Sequence, residues 1–353
     1  MDTARLSPLE PLARAYQRAV PEHPADDGLF GPRSIVWRVN RDRSFPLAGM
    51  RSLMIQALHP LAMAGVAQHS NWRQDPFGRL AATSSYLLTT TYGDSASALA
   101  AAAWVRKIHT HVRGIDPETG LPYSAEDPSL LLWVHAGMVE SIVTVVQRYG
   151  RVLDAGDADR YVAEMVRFAE IVGVPAEQVP SSVASLRTYI ESVELRQATP
   201  AARDAIGVVL DPPDVDAEMQ DLWHDLAQVA VGTLPDWARE MYGFAAPPAE
   251  LMEREPVRQL LGALDLAFES LPGVLEARER IELRMRSCAH PPTPSDCLVS
   301  AAAPRSPALP FASAAGTPCA RRACCSRRWN GAVSSATTWR FAPPTRSPRS
   351  SAR

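Results

Sequence analysis

Apolar positions recur every three to four residues almost without a break from residue 45 to residue 286, while alternating β-branched runs of strand length are scarce. The pattern predicts an all-α protein with one multi-helix body. Asp75-Pro76 supplies the N-cap and first-turn proline that open a helix. Tyr92-Gly93 closes that helix, and Asp94 caps the next. Asp127-Pro128 opens a strongly apolar helix ending at Tyr149-Gly150, and further helices are expected at 156–172, 180–196, 216–232 and 249–286. The segment RGIDPETGLPYSAED, residues 113–127, reads as a long loop rich in Pro, Gly and acids. Pro60 falls inside the first long helical stretch, so a kink is expected beside His59. A kink of this kind serves packing or a site, and packing is the simpler reading of His59.

The stretch FPLAGMRSLMIQALHPLAMAGVA is interrupted by Arg51, Gln56, His59 and Pro60. It therefore falls short of the ~18 uninterrupted apolar residues of a membrane span and reads as a buried helix. No transmembrane segment is expected. The opening MDTARLSPLEPLARAY carries acids and no apolar core segment, which argues against a secretory leader and for a cytoplasmic location. No repeat of 20–50 residues is apparent, which argues against a solenoid.

Charge divides the chain unevenly. Residues 287–353 hold nine arginines and one acid, leaving 27 basic and 38 acidic side chains in the first 286 residues. All five cysteines (Cys288, Cys297, Cys319, Cys324, Cys325) lie in that basic stretch, without Cys-x-x-Cys spacing or a histidine placed to complete a zinc site. The stretch reads as a disordered tail, or as the product of a GC-rich gene read out of frame, since the chain has a single lysine, Lys107. It lacks the interleaved aromatics that would point to nucleic acid. Three parts follow: an N-terminal helical arm over 1–29, a helical domain over 30–286 and the tail. Cutting after Arg286 is expected to leave the domain folded.

Candidate chemistry begins with WVRKIHTHVRG, residues 104–114. Read as one helix, it has an apolar stripe at Val105, Ile108 and Val112 that carries His109 with Arg106 and Arg113, while His111 sits beside Lys107 on the wetter side. His109 is thus the candidate of the pair, against the plainer reading of a core histidine. On DPFGRLAATSSYLLTTTYG, Arg79, Thr83 and Tyr86 follow at spacings of four and three and share a face, either a solvated edge or the polar wall of a cavity. His135, flanked by Trp133, Val134 and Met138, reads as a core histidine. The role of His69 stays open.

Four segments in order, LHPLAMAGVAQHS, DPFGRLAAT, WVRKIHTHVRG and YSAEDPSLLLWVHAGMVES, resemble the uncharacterised bacterial branch of a superfamily. That superfamily contains rubber oxygenase (latex-clearing protein) and the fungal oxygenase of mycophenolic acid biosynthesis, and the resemblance covers roughly residues 30–240. It implies an all-helical fold holding a non-covalent haem b. In the rubber oxygenases the proximal histidine is followed four residues later by an arginine, matched here by His109 and Arg113. The distal arginine and threonine four residues apart are matched by Arg79 and Thr83. A lysine immediately before that threonine is replaced here by Ala82, which weakens any transfer of polyisoprene cleavage.

The resemblance thus implies a haem-dependent oxygenase using dioxygen on a small apolar, isoprenoid-like substrate, served by a redox partner where turnover needs one. His109 would ligate the iron. Arg106 and Arg113 would hold haem propionates or structural carboxylates, while Arg79 and Thr83 would act at the distal side. Without Cys-x-x-Cys-His the haem is not c-type. The competing readings are a haem sensor or carrier without turnover, and a cofactor-free helical protein. A carboxylate-bridged metal pair lacks its Glu-x-x-His repeats here.

Overall fold

The computed structural model describes residues 9–150, 153–213, 215 and 217–289. Of the tail expected over 287–353, residues 287–289 complete the last helix and the rest lies outside the described residues. Among the described residues, fourteen α-helices form the body, with one two-stranded hairpin: α1 Glu10–Ala19, α2 Ile35–Asn40, α3 Phe45–Ala57, α4 Pro60–His69, α5 Pro76–Tyr92, α6 Ser95–His109, β1 Arg113–Ile115, β2 Pro122–Ser124, α7 Pro128–Tyr149, α8 Ala155–Glu170, α9 Val183–Ser192, α10 Pro200–Leu210, α11 Ala217–Gly232, α12 Asp236–Tyr242, α13 Arg254–Glu269 and α14 Val274–Ala289.

Local chemistry sets most helix starts. Asp75, Asp94 and Asp127 accept hydrogen bonds from the backbone N–H of Gly78, Ser97 and Ser129 at 2.8, 2.9 and 2.8 Å. Each of these satisfies a donor that the first helical turn leaves unpaired. The expected kink at Pro60 is instead a full break. The proline ring pushes its predecessor out of the helical region, and His59 is extended at φ −91°, ψ 111°. Pro60 then occupies the first position of α4. The carbonyl of Leu58, freed by the break, accepts from Gln197 N–H at 2.7 Å. The stretch expected as one helix over 249–286 is likewise two, α13 and α14, parted at Gly273, whose φ of +74° suits glycine alone.

The long apolar helix α7 is the centre of the body and packs most extensively on α3. Trp133 Nε1 donates to Gln56 O at 3.0 Å across this crossing, and Gln56 Nε2 donates to Val134 O at 3.0 Å. Gly137 lets the helices approach: a Cβ there would stand 3.1 Å from Ile55 Cγ2. By length and composition α7 is apolar enough to cross a membrane, but 67% of its apolar window is buried inside the protein, as in a core helix.

The same crossing holds a buried ion pair. Arg51 on α3, 1% exposed, donates from Nη1 and Nη2 to the two carboxylate oxygens of Glu140 on α7. It also reaches Ser141 Oγ at 2.7 Å and Thr233 O at 3.0 Å. Around this pair α8 and α9 pack on α7, and α10 and α11 on α3.

A second layer is built on α5, which contacts both α1 and α6. Residues 9–29 are therefore part of the body rather than an arm beside it: α1 lies on α5 and α14, and Arg280 Nε donates to Val20 O at 3.2 Å.

Candidate active site

The α5 wall is arranged by the turn that Asp75 caps. Arg79 donates a hydrogen bond to Thr83 Oγ1, and Thr83 Oγ1 in turn donates to the Arg79 carbonyl at 3.2 Å. This closed exchange fixes both side chains on one helical face. Arg79 keeps solvent access, yet protein surrounds its guanidinium closely enough for desolvation to lower its pKa. Thr83 is exposed as well, so this end of the α5 face lies at the surface of the helix.

His109 is the last residue of α6 and half-buried, with Nδ1 enclosed and without a hydrogen-bond partner among the described residues. Burial first, and then the positive charge of Arg79, lower its pKa, against a smaller opposing effect of Glu126. The imidazole is therefore neutral at pH 7, the form able to ligate a metal. That influence puts Arg79 and His109, on two helices that pack together, near one another. His111 is exposed, and its Nδ1 lies 3.0 Å from both Thr110 Oγ1 and Lys107 O.

The sequence-based stripe through His109 needs correction. The helix ends at His109 with Thr110 as its C-cap, so Val112 and Arg113 do not continue the helical face. Arg113 opens β1, is exposed, and donates to Thr110 O at 2.5 Å. Arg106 is also exposed and donates from Nη1 to Ile171 O at 2.8 Å at the end of α8. The expected loop over 113–127 contains an antiparallel hairpin pairing Gly114 with Tyr123.

That hairpin is anchored on α4. Tyr123 Oη donates to Gln68 Oε1 at 2.8 Å, His69 Nε2 lies 3.1 Å from the same hydroxyl, and Gln68 Nε2 donates to Ile115 O at 3.0 Å. His69 thereby holds the segment that follows His109. Gln68 and Tyr123 carried no signal in the sequence, because a hairpin with three-residue strands is too short to show a period.

The remaining candidates are buried. His135 is 5% exposed and stacked on Phe168 of α8 at 6.0 Å between ring centres. Its Nδ1 lacks the hydrogen bond a core histidine would be expected to make, and burial pulls its pKa down to about 4. His59 is similar: it is 8% exposed, its Nδ1 has no partner, its ring lies 5.8 Å from that of Trp133, and its pKa is lowered by burial. Tyr86, the third residue of the α5 face, packs its ring 5.2 Å from Phe168, and its Oη is enclosed without a partner. Burial raises its pKa despite the nearby charge of Arg106. Among the described residues, no cluster of three or more His, Cys, Asp or Glu is placed to hold a metal ion.

These buried histidines make the protein acid-sensitive. His135 has a folded pKa of about 4 against 6.5 unfolded, so its contribution to stability is complete above pH 6.5 and is lost as pH falls towards 4. The loss is roughly 3 kcal/mol. Urea titrations at pH 7 and pH 4.5 should show it. His135→Gln should flatten this dependence, and an unchanged pH slope in that variant would show that the imidazole is not the group that charges.

The all-helical body is that of an oxygenase-type catalytic domain, as a family match shows. The family described as "ER-bound oxygenase mpaB/B'/Rubber oxygenase, catalytic domain" matches residues 37–266, well over half of the chain, and the chain belongs to it. Neither the curated proteins nor the solved structures gave a match.

Proposed function

We propose that the protein is a haem b-dependent oxygenase acting with dioxygen on a small apolar substrate. The observation that carries this reading is His109: a neutral imidazole, Nδ1 buried and without a protein partner, beside the guanidinium of Arg79. Such a histidine fits a metal-bound cofactor, since it is held deprotonated and no protein group competes for it. His109 would hold the iron, and Arg106, with guanidinium nitrogens besides the one bound to Ile171, suits a propionate. When bound, the haem would supply activation of dioxygen.

The chain's own residues do the rest. Arg79, oriented by Thr83, presents a fixed positive charge and hydrogen-bond donors on the α5 face, and a bound ligand that displaced water there would strengthen both. Ala82 stands where the rubber oxygenases carry a lysine, so the wall offers one cation fewer to a ligand.

The test is the visible spectrum of the purified protein. A Soret band that shifts on reduction is expected; a colourless protein that takes up no added haem would overturn the proposal. In the haem-loaded protein, Arg79→Ala should keep the Soret band but lose turnover on a prenylated test substrate about ten- to a hundredfold, the equivalent of a charged hydrogen bond of ~1.5–3 kcal/mol. Wild-type turnover in that variant would place Arg79 outside the reaction.

A further inference from the structure

We propose that the outer face of α6 is a docking surface for a bilayer bearing anionic headgroups. The helix packs on α5, and its inward residues Ala98 and Ala102 are buried. On the opposite side Ala96, Leu99, Ala100, Ala103, Trp104 and Lys107 are all exposed and, at spacings of three and four, form one continuous stripe. Leu99 and Trp104 are 55% and 45% exposed. A solvated helix turns polar and charged residues outward, so an outward face made of alanine, leucine and tryptophan is the inverse of that pattern.

Charge selects the occupant. The first 286 residues carry 38 acids against 27 bases, yet residues 95–115 contain no acid. Arg106, Lys107 and Arg113, all exposed, follow one another at the end of the helix. The acids that bracket this stretch are engaged elsewhere: Asp94 caps the first turn of α6 at its far end, and Asp116 is 2% exposed and held by Thr119 in its own turn. Exposed Glu118 and Glu126 lie on and beyond the hairpin, so the surface is assigned to α6 alone. An acidic body is repelled by an anionic surface except where it presents cations, so these three orient α6 towards the headgroups. A single helix face is convex and offers a peptide no groove, whereas a bilayer supplies apolar depth and negative charge together. Tryptophan suits the boundary between the two, and Lys107 Nζ lies 6.0 Å from the centre of the Trp104 ring, so cation and indole would meet that boundary together. His109 ends this helix and Arg79 lies on the helix it packs against, so docking would set the candidate site beside a bilayer that dissolves apolar substrates. Only this last step rests on the oxygenase reading.

The experiment is cosedimentation of the purified full chain with vesicles of phosphatidylcholine alone and of phosphatidylcholine mixed with phosphatidylglycerol, at low and high salt. Binding to the mixed vesicles is expected to be roughly tenfold or more above that to phosphatidylcholine alone, and to weaken with salt. Leu99→Glu and Lys107→Glu, both at exposed positions, should each lower binding about ten- to thirtyfold and leave the thermal midpoint unchanged. Phosphatidylcholine brominated along its acyl chains should quench part of the tryptophan emission in the mixed vesicles, and Trp104→Phe should remove that part. Equal partition to the two vesicle types, quenching that survives Trp104→Phe, or a large fall in thermal midpoint in either charge variant would each overturn the proposal. Binding that survives both charge variants would also overturn it, by assigning the attraction to the nine arginines of residues 287–353. A dimer in sedimentation velocity that Leu99→Glu dissociates would do the same, by showing that a second copy covers the face. None of these readouts requires haem: a colourless protein that binds the mixed vesicles through α6 refutes the haem oxygenase reading alone, and a haem protein that stays in the supernatant refutes the docking surface alone.

Discussion

His109→Ala is expected to fold and to contain no haem, while His111→Ala keeps a full complement. The two histidines are two residues apart, of the same type, and at the same helix end, so the comparison removes almost every difference except environment. His109 is half-buried with an unpartnered nitrogen beside Arg79, whereas His111 is exposed and already engaged by Thr110 and Lys107. An imidazole surrounded by water shares its lone pair with solvent and protons, whereas one kept neutral in a sheltered position is held in the form that binds iron. Truncation of a half-buried residue at a helix terminus should cost only about 1 kcal/mol, leaving helical circular dichroism intact. The ratio of Soret to protein absorbance is the measurement, and free imidazole added to His109→Ala should restore part of the band. Equal ratios in the two variants would remove His109 from the iron.

The parts of the fold that were legible in the sequence are those decided within a few residues. Asp75, Asp94 and Asp127 announce helix starts because a carboxylate one to three residues ahead of an unpaired N–H caps it whatever the rest of the chain does. The end of α6 was not legible. Thr110, His111 and Val112 preserve the helical period, yet the chain turns there because the hairpin behind it is held on α4 by Gln68, His69 and Tyr123, some fifty residues away in sequence. The break before Pro60 could be read as a disturbance but not as a new helix start. What decides between the two is a donor for the freed carbonyl, and it comes from Gln197 N–H.

The candidate site shows the same division. Spacing alone put Arg79, Thr83 and Tyr86 on one face, because that depends only on helical geometry. Whether the face was a solvated edge or a wall depended on its neighbours, and it is divided: Arg79 and Thr83 are exposed, while Tyr86 packs on Phe168 of α8. The arginine at position 113 matched a family spacing and a helical spacing at once, and the second of those does not exist in the folded chain.

Arg51→Met is expected to destabilise the protein more than any other single change considered, by about 3–5 kcal/mol. In the sequence Arg51 is only an interruption in an apolar run. In the structure it is 1% exposed and joins three helices: its guanidinium is bidentate to Glu140, reaches Ser141 Oγ, and caps the carbonyl of Thr233 just beyond α11. Ser141 donates onward to Gly137 O at 2.6 Å, and Thr144 donates to Glu140 Oε1 at 2.7 Å, so the carboxylate and the hydroxyl are both oriented around the guanidinium. Removing the arginine leaves a largely buried carboxylate with only Thr144 and a carbonyl with nothing, and the cost of the unpaired charge exceeds the strength of the bonds lost. Methionine fills much of the volume, so the effect should arise from charge rather than from a cavity. The double variant Arg51→Met with Glu140→Leu separates the two causes. If the unpaired carboxylate dominates, the double variant recovers most of the loss in denaturant titration; if the double variant is as unstable as the single one, the arginine acts through its contacts with Ser141 and Thr233, and the α3–α7 crossing depends on hydrogen bonds rather than on the ion pair.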